Sequence, residues 1–126
     1  MNTKYIMITS AMVLGITGIL LIFIPNEIVD YFHLGTANIL VFPIMGALYF
    51  GFAMLNWTAK ANLIGGIYSK PVSIANFTHF LIAALALVKF LFRNTGPTYL
   101  WIAAIIYATY AILFGYITFF SPVAKK

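Results

Sequence analysis

The chain contains no cysteine. Disulfides, thiolate metal sites and a cysteine nucleophile are therefore excluded. Carboxylates are almost as scarce: Glu27 and Asp30 are the only two, and both fall in one short stretch. A proton-coupled exporter of the small four-helix type needs an acidic group inside a membrane helix, and no apolar run here carries one. No serine stands near a histidine and an acid in triad-like order. Gly65-Gly66 is far too short to be a glycine-rich phosphate loop. No catalytic residue and no cofactor is assigned, and the sequence reads as a non-enzyme.

Charge of any kind is sparse. Only 7% of the 126 residues are charged and 63% are hydrophobic, where a soluble domain carries about 25% charged residues. The mean hydropathy is +1.03. Such a chain cannot cover itself with water-facing groups, so its solvent is lipid. The net charge of +5 comes from seven Lys and Arg that form no dense patch with interleaved aromatics. Nucleic-acid binding is accordingly not expected. The length fits one domain, residues 1–126.

What is present is a set of long apolar runs: about 5–24, 37–57, 72–92 and 98–120. Each has about 20 residues, enough to cross about 30 Å of hydrocarbon as a helix. The runs lack the alternating polarity of barrel strands, and helices satisfy their own backbone in lipid. The first run ends at Pro25 with no pair of small residues placed for cleavage, so it reads as a retained helix and not a signal peptide. Pro71 and Pro97 precede the third and fourth runs, where a missing N–H costs little. Pro43, inside the second run, predicts either a kink or a late helix start. The fold class expected is an all-α membrane protein, an antiparallel bundle of four transmembrane helices.

Loop charge gives an orientation. Lys4, Lys60, Lys70, Lys125 and Lys126 fall on one side of a four-span topology, Lys89 and Arg93 on the other with Glu27 and Asp30. The positive-inside rule then puts both termini in the cytoplasm. In the first loop, Asn26 to Gly35 reads as a short interfacial helix capped by Asn26 and stopped at Gly35. The second loop, Thr58 to Pro71, is unusually apolar, and Gly65-Gly66 marks a bend in it.

Small residues predict the packing faces, because close backbone approach drives helix association in lipid. Ala11, Gly15 and Gly18 share a stripe on the first helix. Gly46 and Ala53 align on the second, with Ala47 and Gly51 on a neighbouring face. Ala83 and Ala86 mark the third; Ala104, Ala108, Ala111 and Gly115 mark the fourth. The stripes fit internal packing, with an oligomer contact as the other use.

The polar residues within the runs are the candidate site. Asn76 and His79 are helix neighbours three apart, and the Ala83–Ala86 stripe predicts that they face inward. Asn56, three residues after Ala53, is expected to approach them, with Asn62 and Tyr68 closing over the cluster. Asn56, Asn76, His79 and Tyr68 are thus candidate ligand-binding residues. The same Asn and His side chains also suit plain interhelical hydrogen bonding. Glu27, Asp30 and His33 are spaced so that they could touch one cation, but an ordinary solvated face has the same pattern. No metal site is assigned. His33 and His79, the only histidines, are expected on opposite sides, which argues against one haem.

Met45-Gly46-Ala47-Leu48-Tyr49-Phe50-Gly51-Phe52-Ala53-Met54-Leu55-Asn56-Trp57, then Ile64-Gly65-Gly66-Ile67-Tyr68-Ser69-Lys70-Pro71 and Asn76-Phe77-Thr78-His79-Phe80, resemble a group of small four-span bacterial membrane proteins, distantly similar to the DoxX-like proteins. The resemblance covers mainly residues 45 to 92. It implies the four-helix architecture and a bacterial inner membrane, and no reaction. The function expected is binding of a lipid-like or small apolar ligand between the helices. A small oligomeric transporter or channel subunit, and an accessory subunit docking onto a larger membrane complex, are the alternatives. Membrane lipid, a homo-oligomer or a larger complex are the partners these readings imply.

Overall fold

The computed structural model describes residues 2–35 and 38–120. The expected start of the second run at Ala37, and Lys125 and Lys126 of the charge bias, lie outside the described residues. Among the described residues five α-helices follow in order: α1 (Thr3–Phe23), α2 (Pro25–Phe32), α3 (Val41–Ala59), α4 (Lys70–Arg93) and α5 (Thr98–Phe120), with a 3-10 turn over Ile67–Ser69 leading into α4. Among the described residues there is no strand. α1, α3, α4 (with its leading turn) and α5 are each long and apolar enough to cross a membrane.

Prolines set the element boundaries. α1 stops at Phe23 because Pro25 forces Ile24 out of the helical region, to φ −128° and ψ 47°. The same Pro25 is the first residue of α2, where its fixed φ is already helical. Asn26 is therefore inside α2 and is not its cap. α2 also ends earlier than Gly35. His33 takes the left-handed conformation at φ 53°, and the Leu34 N–H donates to the Val29 carbonyl at 3.0 Å, which closes the last turn. Pro43 falls in the first turn of α3, so the late start and not the kink is realised.

Hydroxyl groups inside the apolar helices bond to their own backbone. Thr17 donates to the Val13 carbonyl at 2.8 Å, Thr109 to Ile105 at 2.8 Å and Thr118 to Phe114 at 2.7 Å. Such back-bonding satisfies a polar atom where no water is available.

The chain divides into two compact units, one through Lys4–Ala61 and the other from Asn62 onward. In the first unit α1 and α3 run antiparallel with their backbones in direct contact. A Cβ on Gly18 would stand 2.8 Å from the Gly46 carbonyl oxygen and 2.8 Å from the Phe50 nitrogen. One on Gly46 would stand 2.7 Å from the Gly18 oxygen, and one on Gly15 3.4 Å from Ala53 Cβ. The small residues of the two stripes therefore meet one another, as helix association in lipid requires. One turn further, Asn56 Nδ2 donates to Ser10 Oγ at 3.0 Å, and Ser10 Oγ donates to the Met7 carbonyl at 3.0 Å. Both side chains are fully buried.

In the second unit α4 and α5 run antiparallel and are joined by rings. Phe80, fully buried, stacks on Phe114 at 5.7 Å and on Tyr110 at 4.9 Å, and meets Tyr107 edge-on at 5.1 Å. Phe77 meets Phe119 edge-on at 5.4 Å, and Phe92 meets Trp101 at 6.1 Å. The buried face of α4 passes through Ser73, Asn76, Phe80 and Ala84. That corrects the expected Ala83–Ala86 stripe. Ala86 is exposed and Ala83 only half-buried, because the bulk of Phe80 sets which face turns inward.

Candidate functional site

The rotation of α4 decides what its polar residues can do. Asn76 lies on the buried face and is fully buried; its Nδ2 donates to the Val72 carbonyl at 2.9 Å. His79 lies on the flank of that face, half-buried, with its ring 5.1 Å from Phe80 and 5.8 Å from Tyr107. The two residues are adjacent on α4, as their spacing requires. Asn56 belongs to the first unit, where it ties α3 to α1 through Ser10. Tyr68 is fully exposed, at 101%, and lines a loop groove with no part of Asn76 or His79 in it.

Sequence reasoning missed Ser10 and Ser73, both fully buried. The signal was available for Ser10. It stands four residues before Leu14 and eight before Gly18, on the face that packs, and a lone hydroxyl on such a face commonly bonds across the helix pair.

Two concave features lie among the described residues of the second unit. The first is a groove of about 380 Å³ along α4 and α5, lined by Phe77 and Leu81 from one helix and Ala111, Ile112, Gly115 and Phe119 from the other. Its lining is wholly aliphatic and aromatic. Gly115 shapes it: a Cβ there would come 3.0 Å from the edge of the Phe77 ring, so the glycine leaves room for that edge against α5. The second is a groove of about 400 Å³ formed by the segment before α4, lined by Asn62, Leu63, Gly66, Ile67, Tyr68 and Ser69.

The second groove has a defined frame. Ile64 is fully buried and pins the segment, Gly65 turns it with φ 111°, and Ser69 Oγ closes it by donating to the Leu63 carbonyl at 2.7 Å. Held this way, the segment turns Leu63, Ile67 and Tyr68 outward, at 72%, 87% and 101% exposure. Just before it, the Lys60 ammonium rests 3.0 Å over the Trp57 ring, a cation–π pairing common at membrane interfaces.

Among the described residues no three His, Cys, Asp or Glu side chains are placed to share a metal ion. Four long apolar helices, hydroxyls bonded back to their own backbone and outward-facing Ile, Leu and Phe over most of the helix surface define an all-α integral membrane protein of the multi-pass class. Comparison with protein-family models, with curated proteins and with solved structures returns no match.

Proposed function

We propose that this multi-pass membrane protein binds a lipid-like or other small apolar ligand, and that the ligand's apolar body lies in the α4–α5 groove. The observation that carries the reading is the groove itself. At about 380 Å³ it falls within the range of small-ligand sites, about 300–1,000 Å³. Its lining offers an aliphatic chain contact on both sides. The reading is of a binding protein and not an enzyme. Asn56 serves in it as a tie between α1 and α3, and Asn76 and His79 as polar fittings of the α4 face. Tyr68 belongs to the neighbouring loop groove. The reading takes Lys60 and Lys70 as cytoplasmic, on the loop-charge bias, and takes the membrane as a bacterial inner membrane, as the resemblance of residues 45 to 92 to small four-span bacterial membrane proteins implies.

Gentle extraction from the native membrane, followed by native mass spectrometry and identification of what stays bound, tests the reading. Ile112 lines the groove yet is 73% exposed, so Ile112→Trp fills the groove without disturbing the helix contact. A stoichiometric ligand in the wild type that is lost in I112W is the expected result. An empty wild-type protein, or a ligand that I112W leaves in place, contradicts it. Orientation is checked separately by single-cysteine labelling, for which the cysteine-free chain is already suited. A cysteine at Tyr68 is expected to react with an impermeant reagent only from the cytoplasmic side.

A further inference from the structure

Lys70 opens α4 and is exposed. Counting along the helix, Lys70, Ile74, Phe77 and Leu81 stand at i, i+4, i+7 and i+11, which is one face. Phe77 and Leu81 on that face line the apolar groove. The lysine therefore stands over the groove's own stripe, about 10 Å further along the axis at 1.5 Å per residue. Asn76 and His79 point elsewhere: Asn76 is on the buried face and His79 on its flank.

The charge surroundings are one-sided. Glu27 and Asp30 are the only acidic residues of the chain and both belong to α2, in the other unit. The second unit has no acidic side chain of its own. Beside it, the loop groove carries the Asn62 amide. Leu63, Ile67 and Tyr68 project from the same segment, which suits the boundary between headgroups and acyl chains.

From this stripe we propose that the ligand is an anionic amphiphile, with its aliphatic tail in the Phe77–Leu81 groove and its anionic head at Lys70 and the Asn62–Ser69 loop. The inference rests on the groove reading and adds the charge of the head. An acidic phospholipid and a free fatty acid share this chemistry. A cation near an anionic headgroup is worth roughly a fivefold preference.

The test is a competition read by native mass spectrometry on the full chain in neutral detergent. Four probes with the same tail are offered: dioleoyl phosphatidylglycerol, dioleoyl phosphatidylcholine, oleate and oleyl alcohol. In the wild type, phosphatidylglycerol is expected to exceed phosphatidylcholine, or oleate to exceed oleyl alcohol, by about fivefold. Whichever anionic probe is enriched names the source of the head. Lys70→Gln should reduce the anionic probe to the level of its neutral counterpart, and Lys70→Arg should keep the excess. I112W should remove all four. Equal binding of anionic and neutral probes in the wild type, with I112W still removing both, overturns the anionic head and leaves the groove standing. An excess that survives K70Q overturns the role of Lys70. Binding of all four unchanged in I112W overturns the groove and this inference together.

Discussion

The two units associate their helices by opposite means. α1 and α3 meet at glycine, backbone on backbone, with one buried hydrogen bond beside the contact. α4 and α5 meet through stacked and edge-on rings centred on Phe80. In water both would be called hydrophobic packing. In lipid, transfer of apolar surface contributes little, because the tails are as apolar as leucine. What remains is contact density and polar satisfaction. Glycine supplies the first by removing side chains, and rings supply it by filling space. Rings are bulky and leave grooves where a small residue faces them, as Gly115 faces Phe77. The α4–α5 groove arises in this way, whereas the groove of about 310 Å³ beside the glycine contact, lined by Ala11, Met12, Gly15, Phe50, Ala53, Met54 and Trp57, is left by side chains flanking the small-residue stripe.

The contrast can be broken most severely at Gly18. A side chain there meets backbone atoms that cannot rotate away, so Gly18→Leu should cost about 3 kcal/mol or more. Reversible unfolding in mixed micelles should show it, with α1–α3 separation tracked between labels in the first unit. Phe80→Ala comes next. A buried Phe→Ala in a soluble core costs about 3–5 kcal/mol. With lipid replacing water as the reference, the loss should fall to about 2–3 kcal/mol, and the same unfolding assay reads it. Third is the Asn56–Ser10 pair. A double-mutant cycle with Asn56→Ala and Ser10→Ala should return a coupling of about 0.6–1.7 kcal/mol. A coupling of zero would mean that the bond contributes nothing to α1–α3 association. Smallest is Gly115→Ala. Its added methyl meets only the edge of the Phe77 ring at 3.0 Å, and a ring can shift by a few tenths of an ångström. The expected cost is below about 1 kcal/mol, far less than at Gly18 although both positions are helical glycines. Equal costs at the two glycines would erase the distinction between the units.

Much of this fold can be read from residue order. Apolar runs of about 20 residues specify spanning helices directly, and Gly15, Gly18, Gly46 and Ala53 mark the α1–α3 contact because only small residues permit it. The α4–α5 contact is less legible. A phenylalanine facing lipid and one facing a partner helix have the same hydropathy, so nothing in the pattern singles out Phe80 over Phe90 or Phe92. The error in rotation followed from that. Ala83 and Ala86 looked like a packing stripe, whereas the face is set by Phe80 and Ala84, with His79 half-buried beside it and its Nε2 enclosed. Partners of polar residues are equally hidden: Ser10 and Asn56 lie 46 positions apart. The end of α2 escaped for a local reason. Glycine is the residue that usually takes the left-handed conformation, and here His33 takes it two positions before Gly35. Lys70, read from sequence only as a topology signal, gains a second meaning once Phe77 and Leu81 are known to line a groove on its face.

The claim that the α4–α5 groove accommodates an aliphatic ligand, in preference to the groove of about 310 Å³ along α1 and α3, is tested most directly by photolabelling. An aliphatic diazirine probe is added to the protein in bilayers, and the labelled residues are mapped by mass spectrometry. The account predicts labelling concentrated on Phe77, Leu81, Ile112 and Phe119, competed away by excess unlabelled amphiphile, with residues at the Gly18–Gly46 contact unlabelled. Labelling spread evenly over every lipid-facing helix surface, and insensitive to competitor, would contradict it.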